Sequence, residues 1–314
     1  MTDIVLHHYA GSPFSEKVRL LLGMKGMRWH SVDVPVMMPK PDVVALTGGY
    51  RRTPFMQIGA DVYCDSALMC RVIDRIAPEP PLYPEPTRGL DEIVAQWADS
   101  ALFWTAVPFT LQPAGAAHIF PDAPPEFLRA FGADRAAMNP AMRRAPLHDY
   151  AAALHAYLGR LESMLGHAGP FLLGALPSIA DFSAAQSIWF VRRAPPIAMQ
   201  LEPYVLVRHW YERVAAFGHG HPQSMTSAAA IELARSNGEH APCAVGDGAG
   251  IEAGTTVAVV PADYAHDEVV GRLVGLDAEE AVVERVDARA GTVHVHFPRL
   301  GFHVKAATPK KEGT

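Results

Sequence analysis

The spacing of apolar residues changes twice along the chain, and this constrains the fold more than any other feature. Residues 1–80 alternate short apolar runs with amphipathic segments, and residues 88–222 show almost only helical spacing. Residues 242–305 show alternating polarity interrupted by glycine, which is typical of strands and turns. We therefore expect an α/β part, an all-helical part and a small β-rich part, in that order.

The first part has the predicted order β-α-β-α-β-β-α. The runs IVLHHYA and MRWHSVDV predict strands on either side of a helix in EKVRLLLGMKG. A short helix is expected near residues 42–46, and TPFMQIGADVYCD predicts a hairpin that turns at Gly59-Ala60-Asp61. The segment SALMCRVIDRIAP predicts a last helix that ends at Pro78. This order favours an α/β sandwich.

The proline-rich stretch PEPPLYPEP is interpreted as a linker into the helical part. Helices are predicted there over residues 90–109, 125–138, 148–165, 179–193 and 204–217. The strands expected within residues 242–305 predict a barrel-like or sandwich-like domain. Residues 306–314 are expected to be disordered.

Composition excludes several function classes. A net charge of −6 leaves no basic surplus for a general nucleic-acid binder. No apolar run reaches the roughly 18 to 20 residues of a membrane span, and the start of the sequence does not resemble a signal peptide. The three cysteines have the spacing of neither a disulfide framework nor a zinc site. We therefore expect a cytoplasmic protein that does not bind membranes or nucleic acids.

The turn Ser12-Pro13-Phe14-Ser15 is the first candidate site. Ser12 is a good helix N-cap, and Pro13 suits the first helical position. The turn should present a hydroxyl and free N–H groups at the positive end of a helix dipole, where an anion is stabilised. Two further features accompany it: Thr53-Pro54 at the start of a strand, and Asp65-Ser66 at the start of the next helix.

These motifs, in this order, resemble the glutathione S-transferase family. The proline of TPFMQIG matches the family's cis-proline, and the Asp-Ser pair of YCDSALMCRVID matches its acidic-Ser pair. In GPFLLGALPSIADFSAAQ, Ser178 and Asp181 match the capping box of the family's buried helix. The resemblance covers residues 1–217. It implies a thioredoxin-like N-terminal domain and an all-helical C-terminal domain, with the β-rich segment as an addition.

The resemblance also implies a glutathione site. Asp65 should bind the γ-glutamyl ammonium group, and Ser66 its carboxylate. The backbone of Thr53, turned by a cis bond at Pro54, should pair with the cysteinyl part. Arg52, with Arg51 before it, could hold the glycyl carboxylate, although neither matches the family's usual residue.

The thiol would then lie over Ser12, with Ser15 and Tyr9 as the next candidates. Related oxidoreductase-like proteins carry a catalytic cysteine where this chain has Ser12. Serine cannot form a mixed disulfide, so thiol–disulfide exchange is disfavoured. The resemblance instead implies transfer of glutathione to a small apolar electrophile, by a homodimer. The alternative is a non-catalytic glutathione- or ligand-binding protein whose β-rich segment binds a partner.

Other side chains carry weaker signals. Trp97, Phe103 and Trp104 could line a substrate pocket, but aromatic residues at helical spacing more often form core. His294 and His296 share one face of a predicted strand, with His303 nearby. No cysteine or carboxylate completes a ligand set with these histidines, so no metal site is expected.

Overall fold

The computed structural model describes residues 3–85, 87–140 and 143–307, and within them ten strands form one continuous sheet. The first four strands and three helices confirm the predicted β-α-β-α-β-β-α order. The elements are β1 (Ile4–His8), α1 (Pro13–Met24), β2 (Arg28–Asp33), α2 (Pro41–Thr47), β3 (Phe55–Ile58), β4 (Asp61–Cys64) and α3 (Ser66–Ile76). β1 pairs in parallel with β2 and antiparallel with β3, and β3 forms the predicted hairpin with β4.

The middle of the chain is helical, as predicted. A π-helical turn at Ala98–Leu102 interrupts the helix expected over residues 90–109. Two short helices, Pro113–Ile119 and Pro195–Ala198, were not predicted. None of the described helices is long and apolar enough to cross a membrane. The helices are α4 (Arg88–Trp97), α5 (Phe103–Thr110), α6 (Pro113–Ile119), α7 (Pro125–Met138), α8 (Leu147–Ala168), α9 (Ile179–Arg192), α10 (Pro195–Ala198) and α11 (Val205–Ala215).

The start of α9 confirms the predicted capping box. The Ser178 hydroxyl accepts the Ala180 N–H at 3.3 Å, and the Asp181 carboxylate accepts the Ser178 N–H at 2.9 Å. Asp181 also accepts the indole N–H of Trp210 at 2.7 Å. These residues are buried, so the box satisfies N–H groups that water cannot reach. Ser178 and Asp181 therefore act in folding.

The last part of the chain contains β5 (His221–Ser224), α12 (Ser227–Ser236), β6 (Thr256–Pro261), β7 (Val269–Leu276), β8 (Glu280–Asp287), β9 (Gly291–Pro298) and β10 (Phe302–Ala306). The strands expected over residues 242–305 are present, but β5 and α12 were not predicted. β10 includes Ala306, the first residue of the segment expected to be disordered. Residues 308–314 of that segment lie outside the described residues.

The prediction of a barrel-like domain was wrong. The strand order is β10-β6-β7-β8-β9-β4-β3-β1-β2-β5, so β10 and β5 are the two free edges of an open sheet. β9 pairs in parallel with β4, with Asp61 opposite His294 and Tyr63 opposite His296. β4 would otherwise be an edge strand with unpaired backbone groups, and β9 pairs with those groups. The sheet therefore extends instead of closing on itself.

The two faces of this sheet bury different cores. One face packs against α1, α3 and the helices of the middle part. The other contains Val5 and Phe55 of the first strands together with Val259, Val295 and Phe297 of the last strands, all fully buried. Because residues from both ends of the chain fill this second core, we expect them to unfold together.

Phe297→Ala tests this coupling. Removing this buried ring should lower the free energy of unfolding by about 3–5 kcal/mol. All five tryptophans precede residue 211, so tryptophan fluorescence reports mainly on the first two parts of the chain. A lower denaturant midpoint by fluorescence is expected. Val286→Ala, at a β8 side chain that is 76% exposed, is the matched control and should cost less than about 0.5 kcal/mol. An unchanged fluorescence midpoint in Phe297→Ala would contradict a shared core.

Candidate functional site

Ser12 caps the N-terminus of α1, as the sequence predicts. Its backbone is extended, and its hydroxyl accepts the Ser15 N–H at 3.2 Å. Pro13 occupies the first helical position, where its missing N–H costs nothing. The Ser12 side chain therefore lies at the positive end of the helix, in a buried position.

Thr53 lies directly beside this turn. The Ser12 hydroxyl donates to the Thr53 carbonyl at 3.4 Å, and the Thr53–Pro54 peptide bond is cis, as the resemblance implied. A separation of 3.4 Å is long for an O–H···O hydrogen bond. The hydroxyl can therefore turn towards another acceptor at little cost.

Asp65 and Ser66 form the N-terminus of α3. The Asp65 carboxylate accepts the Ala67 N–H at 2.9 Å and caps the helix. Asp65 has φ = +74° and ψ = 132°, a backbone conformation that L-residues rarely adopt. Such strain costs about 1–3 kcal/mol and is concentrated at functional sites. The geometry therefore supports a binding role for this pair beyond capping.

A buried ion pair connects the two helix starts. Lys17 of α1 is fully buried, and its Nζ lies 2.5 Å from Asp99 Oδ2 and 3.4 Å from Ser66 Oγ. Asp99, in the π-helical turn, also accepts from Gln186 of α9 at 2.6 Å. Burial disfavours the charge on Lys17, but the groups around it, Asp99 foremost, together raise the pKa of the ammonium group above its ordinary value. This pair fixes α1 and α3 relative to the helical part.

The other two predicted thiol contacts differ in placement. Ser15 is fully buried, and within the described residues its hydroxyl oxygen has no hydrogen-bond partner. Tyr9 meets Ser12 through its backbone, since its carbonyl accepts the Ser12 N–H at 3.1 Å. The Tyr9 ring packs against the second core. Ser12 and Ser15 thus share the turn, whereas the Tyr9 side chain lies with a different core.

Arg52 is already engaged by the last part of the chain. Its guanidinium donates to the Asp263 carboxylate and to the Tyr264 carbonyl, and lies 3.7 Å from the centre of the Tyr264 ring. Both partners belong to the β6–β7 loop, residues 262–268. A ligand carboxylate at Arg52 would therefore compete with Asp263.

A row of aromatic rings runs from this loop to α1. Tyr264 packs edge-on against Trp104, which packs against Phe103, which in turn meets Phe14; the ring centres are 5.1, 5.0 and 4.6 Å apart. Trp97 instead packs against Tyr157 in the helical core. Phe103 and Trp104 therefore lie along the candidate site, and Trp97 does not.

Sequence reasoning missed Lys40 as a site residue. Its Nζ donates to the Thr53 hydroxyl at 3.1 Å and to the Arg51 carbonyl at 3.2 Å. Burial, with the nearby charges of Arg135 and Arg51, lowers the pKa of Lys40 to about 8. The Arg51 side chain pairs with Asp134 of α7 instead of facing Thr53. In the sequence, Lys40 is distinguished only by its position between two prolines, which does not indicate a site residue.

Two family models match the chain: the N-terminal domain of glutathione S-transferase over residues 6–81, and its C-terminal domain over residues 139–213. No curated protein that was compared matches the sequence. Among solved structures, a GST-like protein from Pseudomonas syringae is 41% identical, with a TM-score of 0.81. That match covers 98% of this chain and 100% of the other, including the last strands.

More distant structures share the fold of about two thirds of this chain. FzlA from C. crescentus is 23% identical with a TM-score of 0.51, over 68% of this chain and 88% of its own. The β-etherase LigF from Sphingobium sp. strain SYK-6 is 17% identical with a TM-score of 0.52, over 69% of this chain and 96% of its own. At these identities the likeness concerns the fold alone.

Proposed function

The chain belongs to the glutathione S-transferase family, and on that premise we propose that it transfers the glutathione thiolate to a small apolar electrophile. The observation that carries the proposal is the Ser12 hydroxyl, which caps α1 and lies 3.4 Å from the Thr53 carbonyl beside cis-Pro54. In this role Ser12 donates its hydrogen bond to the sulfur of bound glutathione.

The Ser12 hydrogen bond and the helix terminus together lower the pKa of the glutathione thiol. A free thiol has a pKa near about 8.5, so only a few per cent is thiolate at neutral pH. A hydrogen bond to an anion is worth about 1.5–3 kcal/mol, and the helix terminus adds about 0.3–1 kcal/mol. Since one pKa unit is about 1.4 kcal/mol, the two together lower the thiol pKa by about 1–3 units. At pH 7, thiolate becomes the main species where the lowering exceeds about 1.5 units.

The rest of the tripeptide fits the surrounding groups. Asp65 binds the γ-glutamyl ammonium group, and Ser66 at the start of α3 binds its carboxylate. The Thr53 backbone pairs with the cysteinyl part in the manner of an added strand. Arg52 and Lys40 are the two cations available for the glycyl carboxylate. Phe103 and Trp104 offer an apolar surface for the electrophile.

Ser12→Ala should lower kcat/KM for glutathione conjugation by about 10- to 150-fold at pH 7, because the thiolate loses its hydrogen-bond donor. Steady-state rates with a general electrophile such as 1-chloro-2,4-dinitrobenzene measure this. Asp65→Asn should instead act mainly by raising the KM for glutathione, because it removes a contact to the ammonium group. Ser15→Ala is the matched control and should change the rate less than threefold. A full rate in Ser12→Ala together with a large loss in Ser15→Ala would contradict the assignment.

A second candidate function is binding without turnover. The observations that favour it are that Ser12 is only 2% exposed and that Asp263 already neutralises Arg52. In this case the site would hold glutathione or an apolar ligand, and the chemistry would be lost. The two candidates are separated by whether glutathione binds with or without catalysed conjugation.

Asp263→Asn tests whether Arg52 takes part in binding. Removing the competing carboxylate frees the guanidinium, so the dissociation constant for glutathione should fall about fivefold. Calorimetric titration measures this, with Asp267→Asn, at an exposed position in the same loop, as the matched control. Unchanged or weaker binding in Asp263→Asn would mean that Arg52 only anchors the loop.

We also propose a homodimer in the cytoplasm, as is typical of the family. The exposed apolar side chains of Leu90 and Ile93 on α4, 50% and 65% exposed, support this. Apolar surface of this kind is common at subunit contacts.

A further inference from the structure

Polar side chains cluster where the last part of the chain joins the first sheet. Asp61 begins β4, and the parallel pairing with β9 places His294 directly opposite it. His296 follows two residues later on the same face of β9. His240, between α12 and β6, completes the group. None of these residues belongs to the proposed glutathione site.

Three imidazole nitrogens converge on one carboxylate oxygen, Asp61 Oδ1. His296 Nε2 lies 3.1 Å from it, His240 Nδ1 lies 3.2 Å from it, and His294 Nδ1 lies 3.9 Å from it. One ligand atom from each of Asp61, His240 and His294 falls within a span of 4.8 Å. Those three atoms are close enough together to surround a single ion.

Ion pairing alone does not account for the arrangement. His294 is 8% exposed, and within the described residues its buried Nδ1 has no hydrogen-bond partner. The 3.9 Å separation from Asp61 is too long for a hydrogen bond. Buried polar atoms nearly always have a partner. The His240 and His294 rings are also stacked almost parallel, with centres 3.7 Å apart, and each has its Nδ1 near the same oxygen.

We propose that Asp61, His240 and His294 form a binding site for a divalent metal ion of the zinc class. Imidazole nitrogen and carboxylate oxygen are the ligands that such ions take in proteins. Bound metal would give the His294 Nδ1 lone pair the partner that it lacks. Three protein ligands leave a fourth position for water or a small anion.

The surrounding groups match the outer shell of such a site. Metal-binding histidines commonly face a carboxylate with their second nitrogen. His294 Nε2 lies 3.6 Å from Glu284 Oε2. His296 lies between Asp61 and Glu280 and contacts both carboxylates, which holds Asp61 in place. Glu284 and His296 are therefore positioning residues, and the metal would connect β4 to β9 through side chains as well as backbone.

Sequence analysis singled out His294 but expected no metal site, because Asp61 and His240 are far from it in the chain. His303, considered with His294 and His296, lies on β10, four strands away from β9 in the sheet. The missing carboxylate comes from β4, which the predicted separate barrel would not have contacted.

The test is zinc binding by the full chain after treatment with EDTA and removal of the chelator. Calorimetric titration with ZnCl₂ should show one ion per chain. His294→Ala should weaken that binding more than about 100-fold, and Glu284→Gln about tenfold. His303→Ala, an exposed histidine of the same sheet, is the matched control and should bind zinc within threefold of wild type.

Co²⁺ provides an independent readout. The wild-type protein should develop visible ligand-field absorption that Zn²⁺ abolishes, and Glu284→Gln, a conservative change near the surface, should retain it with weaker affinity. Failure of the wild-type chain to bind one Zn²⁺ would overturn the proposal. So would wild-type affinity in a His294→Ala variant whose circular dichroism matches wild type. If His294→Ala does not fold, two results together overturn the proposal: Glu284→Gln binds Zn²⁺ with wild-type affinity, and the wild-type protein with Co²⁺ shows no visible ligand-field absorption.

Discussion

The parallel pairing of β4 with β9 is the interaction on which most of this structure depends. It covers an edge of the first sheet and continues it into the last strands. The same pairing aligns Asp61 with His294 and so assembles the histidine cluster. It also carries the β6–β7 loop to Arg52, on the side of the proposed glutathione site. A shift of this pairing by one residue would turn the buried Val295 and Phe297 away from the second core.

A further consequence of the β4–β9 pairing is that the chain places a carboxylate of its own, Asp263, at the proposed glutathione site. The Asp263 side chain is 55% exposed, so its pairing with Arg52 is worth on the order of 1 kcal/mol. A ligand carboxylate can displace a contact of that strength, particularly if Lys40 shares the charge. The Tyr264 ring is held more firmly, between Arg52 and Trp104. The loop therefore forms one wall of the site, and its removal would change both the charge and the shape of the cleft.

The features that the sequence predicted are those with local causes. Ser12 and Pro13 mark a helix start by their own chemistry, and Ser178 with Asp181 does the same for α9. The features that were missed depend on partners distant in the chain. β5 has the sequence HPQS, which has no strand pattern and forms only because β2 offers a free edge. Arg52 and Asp263 are 211 positions apart, and alternation in residues 242–305 indicated strands without indicating their neighbours.

The central claim is that the Ser12 turn holds glutathione as a thiolate. Calorimetric titration with glutathione at pH 7, in buffers of different ionisation enthalpy, counts the protons released on binding. The account predicts more than about half a proton per glutathione for the wild-type protein, far fewer for Ser12→Ala, and none for S-methylglutathione, which has no thiol. Tight binding of glutathione to the wild-type protein without proton release would contradict it.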